Sequence, residues 1–260
     1  MRVWAVANQK GGVGKTTTAV TLGGLLAERG ERVLLLDLDP HGSMTSYFGY
    51  DPDILKSSSF NLFAAEDLTL PQFEKLLLAT SSEYLTLLPS SMALATIERR
   101  ATVEGMGLKV ARALALAWDK YDYVLIDSPP VLGALMINAL AASERLLVPV
   151  QTEFLALKGL ERMIRTISMV TRSLKKNLHY TIVPTMFDRR TQASVKTLRA
   201  MRNTYPESIW PAMIPVDTRF RDASKEGEVP SQHAPGSRGV GAYQSLLKYL
   251  LLQQQQRKQA

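Results

Sequence analysis

Lys10-Gly11-Gly12-Val13-Gly14-Lys15-Thr16-Thr17 places three glycines, two lysines and two hydroxyls where an apolar run ends and a helical pattern begins. Glycines let the backbone fold tightly enough for successive N–H groups to point at phosphate oxygens, and the start of the helix adds its positive dipole end. In such a cradle Lys15 reaches the terminal phosphates, and the Thr16 hydroxyl is placed to ligate a Mg²⁺ ion bridging β and γ oxygens. Two more apolar runs end in acid, Leu34-Leu35-Leu36-Asp37-Leu38-Asp39 and Val124-Leu125-Ile126-Asp127. At the carboxyl edge of a sheet beside a phosphate loop, Asp127 suits the Mg²⁺ shell, and Asp39 suits the orientation of an attacking water. Thr16, Asp39 and Asp127 are therefore the candidate metal residues.

The elements that must position these groups alternate between strand-length apolar runs and helical periodicity. That is the pattern of an α/β, doubly wound, mostly parallel sheet with helices on both faces. Strands are expected at Val3–Ala7, Arg32–Leu36, Tyr84–Leu88, Tyr123–Ile126, Arg145–Val150, Tyr180–Pro184 and Ser208–Ile214, giving seven or eight in one sheet. A helix from about Lys15 to Arg29 turns Val20, Leu22, Leu25 and Leu26 inward and stops at Gly30. Between Ser43 and Thr80 the pattern breaks into short pieces, read as mobile cover with a helix at Asp67–Ala79. Residues 1–252 are expected to form one domain, and 253–260, beginning with four glutamines, a disordered polar tail.

With no cysteine among its 260 residues, the chain excludes disulfide frameworks, thiolate zinc sites, iron–sulfur clusters and thiol nucleophiles. The start lacks the pattern of an export signal, and no run approaches the length of a membrane span, so a cytoplasmic location is expected. The net charge of +7 is unevenly spread: from Lys158 to Arg202, eleven basic residues face only Glu161 and Asp188. Such a stretch is either a polyanion-binding face or ordinary solvated helix surface. Tyr243–Leu252 is apolar around nearly its whole circumference, which fits packing on the core better than docking on a membrane.

Lys10 lies four residues before the Gly14-Lys15 pair, where an ordinary phosphate loop needs no lysine. In this the chain resembles the deviant Walker A ATPases of the ParA/MinD family, and its likeness to the ParA/Soj branch continues through Asp37-Leu38-Asp39-Pro40, Asp127-Ser128-Pro129-Pro130, Val148-Pro149-Val150-Gln151, Ile214-Pro215 and Gln232-His233-Ala234-Pro235. The resemblance implies ATP and Mg²⁺ as cofactors and an ATP-sandwiched homodimer in which Lys10 acts in trans. It further implies weak ATP hydrolysis stimulated by a partner protein, with Asp39 activating water and Asp127 as the Walker B carboxylate. Lys10, Lys15, Asp39 and Asp127 are then the catalytic set, and residues 10–17 bind the phosphates. Pro215 and Asp217 would flank the adenine, where many relatives have Pro-x-Asn, with Met186 near the base. Arg190 and Arg219 fall where such ATPases carry arginines for sequence-independent DNA binding. Lys196, Arg199 and Arg202 recur every three residues and would form one stripe on a helix, suited to phosphate contacts.

The absence of a guanine-reading Asn/Thr-Lys-x-Asp string supports ATP over GTP. Within the branch, Val3–Lys10, Asp39-Pro40-His41 and Tyr47–Asp51 are similar to the ParC-type members associated with polar chemotaxis arrays. That likeness implies array positioning at the pole, against the alternative of chromosome or plasmid partition on the nucleoid. An ATP-dependent enzyme acting on a small metabolite is the alternative of another class.

Overall fold

The computed structural model describes residues 1–99 and 106–259. β1 (Arg2–Val6) leads through the glycine loop into α1 (Lys15–Ala27), and β2 (Val33–Asp37) is followed by α2 (Ser43–Tyr47), α3 (Asn61–Ala64) and α4 (Leu70–Glu74). Then come β3 (Leu78–Ala79), β4 (Leu85–Leu88), α5 (Ala95–Arg99), α6 (Lys109–Leu116), β5 (Tyr123–Asp127), α7 (Ala134–Ala142) and β6 (Arg145–Gln151). The chain continues with α8 (Phe154–Ser173), β7 (His179–Thr185), α9 (Gln192–Thr204), α10 (Arg219–Glu226), α11 (Pro230–His233) and α12 (Arg238–Gln259).

The strands form one seven-stranded sheet in the order β3-β4-β2-β5-β1-β6-β7, parallel except for the β3–β4 pair. Both faces are covered, so the alternation of side chains along each strand divides two apolar layers instead of separating core from solvent. Val3, Ala5, Leu34 and Leu36 face the layer that holds α6, α7 and α8. Trp4, Val6, Val33 and Leu35 face α1 and α12. Register aligns Asp37 of β2 with Asp127 of β5, and Val6 with the same Asp127, so the glycine loop and both acidic strand ends leave the sheet at one edge.

Four expectations change. The stretch Ser208–Ile214 is not a strand: it touches β7 through Ile182–Ile209, with Phe187–Pro215 bridged just beyond. Pro211 lacks an N–H and cannot continue a ladder. The helix expected over Asp67–Ala79 shrinks to α4, which starts from a Thr69–Gln72 capping box with Pro71 in its first turn. Beyond it, Leu78 and Ala79 pair antiparallel with Leu87 and Thr86. The cover from Ser43 to Thr80 is anchored, since Leu62, Phe63, Phe73 and Leu76 are buried in the layer with α6 and α7. Finally, residues 253–259 are helical, as the last turns of α12. Gln253 accepts a 2.8 Å hydrogen bond from the buried Arg145 guanidinium, which gives the polar stretch a reason to stay on the body of the protein. The apolar part of α12 packs as expected, with Tyr243, Leu246, Leu247 and Leu250 buried. No described helix is long and apolar enough to cross a membrane.

Candidate functional site

The glycine loop is tied down from its flanks while its centre is left open. Asn8 Nδ2 donates to the Pro149 carbonyl (2.7 Å), and Asn8 Oδ1 accepts from the Lys10 amide (3.0 Å). Further along, Thr185 Oγ1 donates to the Val13 carbonyl (2.9 Å). Gly12 and Gly14 adopt left-handed φ angles of 71° and 88°, which a side chain would strain. A Cβ built on Gly11, Gly12 or Gly14 meets nothing within 4 Å, so the loop's backbone is open to an approaching ligand. Gly14 opens α1 without a side-chain cap, leaving the first amides of that helix directed at the same opening. Lys15 is buried at the loop's end.

Across from the loop, Thr16 Oγ1 donates to Asp127 Oδ2 at 2.5 Å. Asp127 Oδ1 is buried with no hydrogen-bond partner. Burial raises the Asp127 pKa to about 7, with the Asp39 charge adding to the rise while the Thr16 bond and Lys15 oppose it. Burial likewise raises Asp37, to about 8, reinforced by the charge of Asp127. Asp127 thus keeps one buried oxygen without a partner beside the Thr16 hydroxyl, and a Mg²⁺ ion would fit this pair of oxygen ligands. Among the described residues no three acidic or histidine groups cluster as a ready-made metal cage.

Asp39 is buried at the edge of this group, and its Oδ1 accepts from the His41 amide (3.1 Å) and faces His41 Nδ1 (2.9 Å). Asp37, which sequence reasoning passed over, receives the Asp39 amide (3.1 Å) and both the amide and hydroxyl of Thr45 (2.9 and 2.8 Å). The signal was the Asp-x-Asp spacing, which puts both acids on one side of an extended strand. Lys10 points toward the end of β6, where its ammonium meets Glu153 and lies 3.4 Å from Gln151 Oε1.

The residues expected around a base converge on one cavity of about 390 Å³ in which Gly14, Thr17, Met186, Pro215, Asp217 and Tyr243 all take part. Asp217 turns its carboxylate onto the backbone, accepting from the Arg219 amide (3.1 Å) and the Gly239 amide (2.9 Å). Its side chain thus joins the starts of α10 and α12 and borders the cavity without offering both oxygens to it. Phe220 and Tyr243, edge to face at 5.6 Å, also line the cavity and carried no motif signal.

The four residues expected at DNA are all exposed but not equivalent. Lys196 and Arg199 project from α9 and Arg219 begins α10, whereas Arg190 is forked onto Asp188 (2.8 and 3.0 Å), which holds that carboxyl down at about 2. Lys158, Arg162, Arg165 and Arg172 extend the exposed basic surface along α8, which packs beside α9.

A mostly parallel sheet with a glycine loop between its first strand and helix, and acids ending two neighbouring strands, defines a P-loop NTPase. A family model described as "AAA domain" matches residues 1–180. The chromosome-partitioning ATPase Soj of Thermus thermophilus is 38% identical over 97% of this chain and 96% of its own length. The sporulation initiation inhibitor protein Soj of Bacillus subtilis is 36% identical over 95% and 97%. A crystal structure described as cobyrinic acid a,c-diamide synthase from Mycobacterium smegmatis, with bound ADP and magnesium, superposes with a TM-score of 0.82 at 36% identity, covering 96% of this chain and 94% of that one. The chain belongs to the ParA/Soj family of P-loop ATPases.

Proposed function

We propose that the chain is an ATP-dependent dimerisation switch that positions a cellular cargo, hydrolysing ATP weakly until a partner protein stimulates it. The observation that carries this reading is Lys10: it stands on the rim of the open phosphate cradle, partly exposed and separate from the buried Lys15. In the family that the chain resembles, a lysine at this position reaches the nucleotide of a second protomer, and the partial exposure of Lys10 is compatible with that role. Residues 11–17 would hold the phosphates, and Thr16 and Asp127 would hold Mg²⁺, which would supply charge neutralisation at the phosphates. Asp39 orients the attacking water. Met186, Pro215 and the Asp217 backbone border the adenine. Because γ-phosphate and Lys10 bridge the two halves, binding free energy goes into association, and hydrolysis returns monomers.

The cargo reading drawn from residues 3–10, 39–41 and 47–51 is the polar chemotaxis array. The second reading is partition on nucleoid DNA, favoured by the exposed basic faces of α8 and α9 and by a close relative named for chromosome partitioning. An enzyme acting on a small metabolite is the reading from another class.

Sedimentation of the Asp39→Ala protein with ATP and Mg²⁺, with and without random-sequence duplex DNA across a salt series, tests these readings. An ATP-dependent dimer that carries DNA and releases it as salt rises supports partition, with Lys196→Ala and Arg199→Ala each lowering the salt slope by about one. A dimer that ignores DNA turns the basic faces into ordinary surface and supports a protein receptor. A protein that stays monomeric with ATP sinks the switch itself.

A further inference from the structure

Asp39 is held through its main chain as well as its side chain. Its amide donates to Asp37 Oδ1 at 3.1 Å, and its carbonyl accepts from Ser90 Oγ at 2.5 Å and from the Gly42 amide at 2.8 Å. Ser90 lies just beyond β4, the strand next to β2, and its own amide donates to Thr45 Oγ1 at 2.8 Å. Since Thr45 Oγ1 accepts there, its single proton is committed to Asp37 Oδ2, 2.8 Å away. The bonds close a ring, Asp39–Asp37–Thr45–Ser90–Asp39, in which Asp37, Thr45 and Ser90 are fully buried.

We propose that Thr45, through Asp37, and Ser90, through the Asp39 carbonyl, are positioning residues of ATP hydrolysis, fixing the backbone of Asp39 so that its carboxylate meets the attacking water. The proposal rests on the reading of Asp39 as the water-orienting group. The side-chain partners of Asp37 are all donors: the Asp39 amide and the amide and hydroxyl of Thr45. An amide at that position would turn an NH₂ group against either Asp39 or Thr45. Thr45 lies within α2, so a shift of that helix would be transmitted to Asp39 through two hydrogen bonds. A small displacement of a water-orienting group is costly to the chemical step and leaves substrate binding unaffected.

The test compares Thr45→Val, Thr45→Ser, Ser90→Ala and Asp39→Ala in full-length protein. Four quantities are read: single-turnover ATP hydrolysis, affinity for a fluorescent ATP analogue, lifetime of the ATP-bound dimer, and amide hydrogen exchange of residues 38–45 without nucleotide. Thr45→Val and Ser90→Ala are expected to slow hydrolysis by about tenfold or more while ATP affinity stays within about twofold, to prolong the dimer as Asp39→Ala does, and to speed exchange at the Asp39 amide. Thr45→Ser, which keeps the hydroxyl, is expected to restore the rate. If Asp39→Ala abolishes hydrolysis while Thr45→Val and Ser90→Ala leave it intact, the positioning role is overturned. Loss of ATP affinity together with rate also overturns it, as the ring would then serve folding alone. Normal hydrolysis by Asp39→Ala would remove the underlying reading of Asp39 and the proposal with it.

Discussion

The ammonium of Lys10 meets the carboxylate of Glu153 of the same chain, where β6 gives way to α8. Both side chains are about two-fifths exposed (39% and 41%), so the pair competes with water and is weak. A lysine that is to reach a second protomer must first leave this contact. Glu153→Gln is therefore expected to shift ATP-dependent dimerisation to lower protein concentration, by about twofold to fivefold, the scale of an exposed pair. Sedimentation velocity across a dilution series measures it, and an unchanged midpoint would show that the contact holds nothing back.

On the proposed reading, in which Lys15 meets the terminal phosphates, Lys15→Ala is expected to abolish nucleotide binding. Lys10→Ala is expected to keep binding and lose the dimer. A Lys10→Ala protein that still dimerises with ATP would contradict a role in trans. Equilibrium binding of a fluorescent analogue beside sedimentation separates the two defects.

Asp37 and Asp127 sit side by side in register, both buried and both raised above the ordinary carboxylate range. The folded state therefore keeps protons that the unfolded chain has already released, from the ordinary carboxylate range up to about 8. Unfolding releases those protons, so the stability of the nucleotide-free protein falls as pH rises through that window. Thermal melts between about pH 5 and pH 8 should show a declining Tm. Asp127→Asn removes one of the two charges and is expected to flatten that decline while weakening the Mg²⁺ site. An equally steep decline in the variant would place its origin elsewhere.

Arg145 is buried in β6, and its guanidinium is held by Thr181 Oγ1 (3.2 Å) and Gln253 Oε1 (2.8 Å), with burial lowering its pKa to about 10. Gln253→Ala is expected to cost about 1–3 kcal/mol, a few degrees of Tm, because a buried cation loses an acceptor. Ending the chain at Leu252 should cost at least as much. A truncated protein as stable as the full chain would mean that the last turns of α12 are dispensable.

Gly24 of α1 packs directly under α11, where an added Cβ would lie 2.7 Å from Val229 Cβ and 2.9 Å from Val229 Cγ2. Alanine favours a helix, yet this position has no room for it. Gly24→Ala is expected to destabilise by about 1–3 kcal/mol, the usual scale of overpacking, because the nearest atom, Val229 Cβ, cannot move aside by a rotamer change. Denaturant unfolding of the variant and the parent protein gives the comparison.

The loop, the first helix and the acidic strand ends were legible in the residues themselves, because each is set by local chemistry. Glycines at 12 and 14 permit a turn that other residues resist, and short apolar runs such as Val33–Asp37, alternating with helical periodicity, read as doubly covered strands. The basic stripe of α9 was equally plain, since helical spacing alone puts Lys196 and Arg199 on one face. Partners distant in sequence were not legible: Gln253 on Arg145, Glu153 on Lys10, Asp217 on Gly239 and Ser90 on Asp39. A glutamine run reads as solvated tail until a buried guanidinium 108 residues away accounts for its first member. Composition and spacing determined which groups gather at the carboxyl edge of the sheet. Only the folding of that edge decided which donor each carboxylate would take, because buried hydrogen bonds are satisfied by whatever the tertiary packing brings within 3 Å, roughly.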